Sequence, residues 1–250
     1  MMVKIIVRAD DLGYSEAVNY GIAKTVEEGI IRNVGLMVNM PATEHGLNLI
    51  KNKNICLGCH VVICAGSPIS DFHLLPSLTT DNGQFKSSKV YRTAKNDFVS
   101  LGEVVTEIEA QYQRFVSLTG EKPKYFEGHA VESPNFVEGL KVVAKRHGLS
   151  FLNFSFDGRP VPFRGKYLYV SMDSLGEDYD PFITLKNVVN ERHKKGYSVM
   201  ICHPGFLDSY ILQHSSLTIP RTEEVDMLCD SKTKEWLNQH NVDLITYDEV

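Results

Sequence analysis

The stretch KIIVRADDLGYSEAVNYGI, residues 4–22, passes from an apolar run through two adjacent aspartates into a helix start. Val3–Ala9 has the β-branched content of a buried strand. Ser15 is placed to cap a helix whose apolar face is Val18, Ile22 and Val26, with Gly29 to close it. A strand that hands over so quickly to a helix reads as the first half of a βαβ unit. Asp10 and Asp11 fall at the handover. Neighbouring carboxylates repel, and burying either one alone is costly, so a cation or some chemistry must balance them.

The same alternation continues along the chain. Further strands are expected at Asn33–Asn39, Ile55–Ile63, Tyr125–Gly128, Ser150–Phe154, Tyr167–Val170, Ser198–Cys202 and Asp243–Thr246. Ser100 and Glu103 form an S-x-x-E capping box ahead of Val104, Ile108, Tyr112 and Phe115, and Gly120 ends that helix. Asp180–Pro181 starts another, and Ser231 caps the last, which carries the single tryptophan, Trp236. Seven or eight strands alternating with helices point to an α/β fold, a mainly parallel sheet with helices outside. The 250 residues, 43% of them hydrophobic, suit one domain, and no linker, repeat or low-complexity tract divides them. This length favours a closed or nearly closed (β/α) barrel over an open doubly wound sheet, a choice the pattern alone leaves open. In either fold, catalytic groups belong just after strand C-termini. The polar segment 66–97 lacks periodicity and reads as an excursion over one face.

A formal charge of −5 without a basic stripe argues against a nucleic-acid partner. No apolar run approaches the roughly 20 residues of a membrane helix. The N-terminus reads as a strand and not as an export leader, so a cytoplasmic location is expected. Five cysteines, Cys56, Cys59, Cys64, Cys202 and Cys229, then read as reduced thiols. CLGCH, residues 56–60, fits the C-x-x-C-H pattern of haem attachment. It lies in a strand-like run, however, and no second C-x-x-C supports zinc, so buried small hydrophobes account for it better.

His60 lies in the third run, His129 follows the fourth in YFEGHAVESP, and His203 follows a later strand in VMICHPGF. With Asp10 and Asp11, four strand ends therefore offer carboxylate or imidazole. In a barrel these ends converge, and one carboxylate with two imidazoles makes a divalent-metal site. Each residue also has a plainer reading: a hydrogen-bonded polar strand end for a histidine, a helix N-terminal charge for the aspartates. His45, His73, His147, His193, His214 and His240 read as surface residues. Arg221 and Glu224, in PRTEEVDML, suit either a guanidinium that orients a site carboxylate or an exposed i,i+3 pair.

At these residues the sequence resembles the YdjC-like family of carbohydrate deacetylases, which includes chitooligosaccharide deacetylase. ADDLGYSEAVNYGI, LGCHVVICAGSPI, EKPKYFEGHAVESP, CHPGF and PRTEEVDML correspond in order to five blocks of the family pattern and run from end to end of residues 1–250. The resemblance implies a TIM-like, somewhat irregular barrel. It implies Asp11, His60 and His129 as metal ligands, Asp10 as general base, His203 as general acid and Arg221 as the residue that positions Asp10. Two departures stand out. Glu127 replaces an aspartate and is followed by fewer histidines than many members carry, and Arg8 stands where an asparagine is common.

The expected reaction is therefore removal of acetyl groups from N-acetylated amino sugars or chito-oligosaccharides, with release of acetate. The cofactor is one divalent ion. Ligand chemistry favours zinc or a similar transition metal, and the resemblance implies magnesium in some members. The alternatives are a metal-dependent hydrolase of another bond, such as a phosphoester, or a non-catalytic sugar-binding relative. The expected partner is a small carbohydrate, and the sequence is compatible with a homo-oligomer. For Asp10 and Asp11 to serve one site, the strand must bend, and Leu12–Gly13 is the expected place.

Overall fold

In strand β1 (Val3–Leu12), side-chain parity sorts the chain into two layers. Val3, Ile5, Val7 and Ala9 join the large core under the helices, whereas Ile6 joins a smaller apolar cluster on the opposite face. Arg8 and Asp10 share the parity of Ile6 and so belong to the inner face. The computed structural model describes residues 2–153, 158–191 and 193–250. After β1 come α1 (Glu16–Glu27), β2 (Asn33–Leu36), α2 (Thr43–Leu49), β3 (Cys56–Val61), α3 (Ser88–Thr93) and α4 (Leu101–Thr119). Then follow β4 (Phe126–Gly128), α5 (Pro134–His147), β5 (Val161–Phe163), β6 (Lys166–Ser171) and α6 (Pro181–Asn190). The chain ends with β7 (Gly196–Cys202), α7 (Ser209–His214), α8 (Ile219–Cys229), α9 (Ser231–Gln239) and β8 (Val242–Leu244).

The strands form one curled sheet in the order β4-β3-β2-β1-β7-β6-β5. Among the described residues the ladders are parallel except β5–β6. β8 pairs with β1 at Val3–Ile5, below the point where Arg8 meets Asn33 of β2. No ladder among the described residues joins β4 to β5, so the sheet is a half-barrel, the irregular (β/α) form expected. The expected strand at Ser150–Phe154 is reduced to an isolated bridge from Phe151 to Phe126, and Phe154 lies outside the described residues. Strand β5, missed in the sequence, is a three-residue hairpin partner of β6 with a proline in its middle.

Helix ends follow local chemistry, with two corrections. Ser15 caps α1 by accepting from the Val18 N–H, and Gly120 ends α4 in the left-handed conformation. The Ser100–Glu103 box does not form, because Glu103 Oε2 accepts from the Ser77 N–H at 2.7 Å instead. Asp230, not Ser231, caps α9.

Segment 66–97 is tied to α4. The N–H groups of Ile69 and Ser70 each donate to the Glu107 carboxylate at 3.0 Å. Gln111, one helical turn on and fully buried, clamps Val62 just after β3, accepting from its N–H at 2.9 Å and donating to its carbonyl at 2.6 Å. Gln111→Leu would leave both backbone groups unpaired in the core. A loss of about 2–4 kcal/mol in urea unfolding is expected.

Candidate metal and catalytic centre

The inner face changes character from bottom to top. Its lower layer is Ile6, Cys56, Tyr125, Val199 and Ile201. Two or four residues further along the same strands stand Arg8 and Asp10, Gly58 and His60, Glu127 and His129, and His203. The charged groups thus gather at the strand C-termini, over an apolar floor.

Asp11 has the wrong parity for this face, and the backbone corrects it. The β1–β2 register slips between Ala9 and Leu12, and Asp11 takes φ +77°. This bulge brings Asp11 onto the face that Asp10 already occupies, so the bend begins at Asp11, just ahead of the expected Leu12–Gly13. Such a conformation costs of order 1–3 kcal/mol for a residue other than glycine. It is held by Tyr14 N–H to the Asp11 carbonyl at 3.0 Å and Met37 N–H to the Leu12 carbonyl at 2.8 Å. Gly13, at φ +105°, donates to Asn19 Oδ1 at 2.6 Å, and a Cβ there would lie 2.6 Å from the Met37 carbonyl oxygen.

Three ligand atoms converge. Asp11 Oδ1 lies 3.4 Å from His60 Nε2 and 3.3 Å from His129 Nδ1, and the two ring nitrogens are 2.9 Å apart. Ligands at 2.0–2.1 Å from a tetrahedral ion are separated by about 3.3 Å. Asp11 Oδ1 is buried and makes no hydrogen bond, which leaves a lone pair aimed into the triangle. The donor set and this orphaned oxygen fit a divalent cation. Glu127 Oε1 contacts His60 Nδ1 on the opposite side of the ring, directing the Nε2 lone pair towards the same point. Asp10, His60 and Glu127 make a second triad of suitable atoms. The Arg8 guanidinium already lies against it, 2.5 Å from Asp10 Oδ2 and 3.7 Å from Glu127 Oε2.

Arg221 is where the sequence expectation needs correction. Its Nη2 donates to Asp11 Oδ2 at 2.7 Å, and it is Arg8, not Arg221, that contacts Asp10. Nor do Arg221 and Glu224 form an exposed pair, since both are buried. Arg221 also donates to the carbonyls of Leu217 at 3.0 Å and His203 at 3.2 Å. Glu224 accepts from the His203 N–H at 2.5 Å and from the Tyr179 hydroxyl at 2.8 Å. α8 therefore fixes the His203 loop by two buried side chains. The His203 Nδ1 lies 3.5 Å from Ser174 Oγ. The other six histidines stay out of this cluster, and three of them, His45, His147 and His193, are half-buried rather than exposed.

The charges are mutually dependent. Burial pushes the Asp11 carboxyl up, yet Arg221 and then His129 and His60 hold it well below the usual carboxylate range. Burial opposes charge on the imidazoles, but Glu127 and Asp10 raise His60, and Asp11 raises His129 to about 9. Both shifts run in the direction that makes protons compete with a metal cation for these ring nitrogens. His203 behaves oppositely, since burial lowers it to about 4. Burial raises Glu224 to about 7.

Sequence reasoning missed Ser174 and Tyr179, and took Arg8 and Glu127 only as departures from a pattern. Arg8 carried a usable signal, because two positions before Asp10 on one strand means one face.

The model of the YdjC-like protein family matches residues 4–239. Carbohydrate deacetylase 2 of Listeria innocua is 29% identical over 257 residues, covering 99% of each chain. The carbohydrate deacetylase of Geobacillus stearothermophilus is 31% identical over 255 residues, covering 98% of this chain and 96% of that protein. A crystal structure from Enterococcus faecalis V583 has a TM-score of 0.84 at 20% identity, covering 100% of this chain and 99% of that one, a likeness of fold.

Proposed function

The chain belongs to the YdjC-like protein family, and from that premise we propose that it is a metal-dependent carbohydrate deacetylase. On this reading, residues 1–250 act as one catalytic domain that removes acetyl groups from N-acetylated amino sugars or chito-oligosaccharides. The observation that carries it is the convergence of Asp11 Oδ1, His60 Nε2 and His129 Nδ1 within 3.4 Å, with a second buried, unpartnered carboxylate oxygen, Asp10 Oδ1, contributed by the adjacent residue.

Asp11, His60 and His129 would hold one divalent ion, zinc or magnesium. When bound, the ion polarises the acetyl carbonyl and makes water more acidic. Asp10 Oδ1 accepts the proton that the attacking water loses. As the C–N bond breaks, His203 gives a proton to the departing amine. Its resting imidazole is neutral at pH 7, because burial holds it near 4. The proton it delivers must therefore be gained within the cycle, and the balance closes when the proton that Asp10 takes from water passes on to His203 before the C–N bond breaks. Arg221 keeps Asp11 ionised, and Glu127 keeps His60 oriented. Products are acetate and a free amine.

The five free cysteines suit the expected reducing cytoplasm, and no helix among the described residues is long and apolar enough to cross a membrane. Acetate release from N-acetylated chito-oligosaccharides, compared with phosphorylated sugars and O-acetylated sugars, tests the reaction class. Phosphate release without acetate would replace the deacetylase reading with a phosphoester hydrolase. Binding without turnover would replace it with a sugar-binding protein.

Metal uptake should depend on pH with a defined sign. Because His129 titrates at about 9 in the cation-free centre, acid keeps a proton where the ion must bind. Apparent affinity is expected to rise between pH 6 and 8, by about tenfold per unit for each proton displaced. Calorimetry in buffers of different ionisation enthalpy counts those protons.

A further inference from the structure

Among the described residues Arg8 heads the fully buried side chains, and a guanidinium in that position is costly unless its surroundings are built for it. They are. Its Cζ lies 5.3 Å from the centroid of the Tyr125 ring, and Nη1 donates to the Tyr247 hydroxyl at 3.4 Å. Tyr125 itself fills the space left by Gly58, where a Cβ would collide with the ring. Above this aromatic seat, Nη2 reaches Asp10 Oδ2 at 2.5 Å and lies 3.7 Å from Glu127 Oε2. Asp10 is thus anchored by one oxygen. Its other oxygen, Oδ1, leans over β2 at Gly35, where a Cβ would stand only 2.5 Å away, and it makes no hydrogen bond. Arg221 is committed to Asp11.

We propose that Arg8 is the positioning residue for Asp10: its guanidinium fixes Oδ2, so that Oδ1 is turned over Gly35 towards the reacting water. The inference rests on the reading of Asp10 as general base. Physically, Asp10 has Asp11 and Glu127 as like-charged neighbours, and Arg8 stands between Asp10 and Glu127. Lysine could supply the charge but not the rigid planar fork.

The test is a double-mutant cycle on the metal-loaded protein. Arg8→Gln should lower kcat about 10- to 100-fold, a share of the roughly 10²–10⁴ that a general base supplies, with KM and bound metal changed by less than about threefold. In an Asp10→Asn background the same change should cost less than about twofold, because the group through which Arg8 acts is already gone. Arg8→Lys should recover part of the loss and serves where Arg8→Gln folds poorly. Equal losses in both backgrounds, an unchanged kcat, or a loss that tracks lost metal would overturn the proposal. A crystal structure of metal-loaded Arg8→Gln gives a readout independent of activity. Displacement of the Asp10 carboxylate from above Gly35 supports the assignment, and an unmoved carboxylate contradicts it. Failure of the wild-type protein to release acetate would refute the deacetylase reading, and the position of Asp10 in that structure would still decide the role of Arg8.

Discussion

Asp11→Asn is expected to abolish stoichiometric metal binding and, with it, turnover. Asp11 Oδ1 closes the triangle with His60 Nε2 and His129 Nδ1, and it is the only anionic member. Replacing it by an amide removes the charge that attracts the ion. The loss should exceed the roughly 10- to 100-fold that follows from losing the partner of a ligand. Asparagine tolerates the left-handed conformation that residue 11 adopts, so the bulge should persist. Arg221 would keep the carbonyls of Leu217 and His203 but lose its carboxylate, and breaking a buried pair in this way costs about 3 kcal/mol. Metal content measured by mass spectrometry and unfolding in urea separate the two effects. A variant that binds one ion with unchanged affinity would remove Asp11 from the ligand set.

Asp10→Asn should do the reverse, retaining metal and losing turnover. Its carboxylate is absent from the Asp11–His60–His129 triangle, and one oxygen is engaged by Arg8 while the other is free. An amide at this position cannot accept a proton from water, and kcat should fall by roughly 10²–10⁴ with KM little changed. Isothermal titration should still report one ion per chain. A metal-free Asp10→Asn protein would show that the two aspartates share the ligand role, and the division of labour would fail.

The contrast between these neighbours explains what the sequence could and could not disclose. Strand parity along β1, with Ile6 below Arg8 and Asp10, follows from the period of an extended chain and is legible without coordinates. So is the clustering of His60, His129 and His203, since parallel strands present their C-terminal ends together. The position of Asp11 is not legible. A positive φ in a residue other than glycine is selected by the surrounding hydrogen bonds, here those of Tyr14, Met37 and Gly13, and no local propensity announces it. For the same reason the pairing of Arg221 with Asp10 that the resemblance implies differs from the observed contact with Asp11. A guanidinium more than 200 positions away can reach either of two adjacent carboxylates, and only the bulge decides which. Glu103 gives a smaller example: its S-x-x-E spacing is correct for a capping box, but a tertiary partner, the Ser77 N–H, takes the carboxylate. Tyr179 and Ser174 carry no motif at all and enter through loops packed on α8 and the His203 segment.

The most direct test of the account is a chelation and reconstitution titration of acetate release from an N-acetylated chito-oligosaccharide. Exhaustive chelation should abolish turnover, and stepwise return of zinc or magnesium should restore it in proportion, reaching a plateau at one ion per chain. Acetate release that survives complete removal of metal would contradict the account, because the Asp11, His60 and His129 centre would then have no part in the reaction.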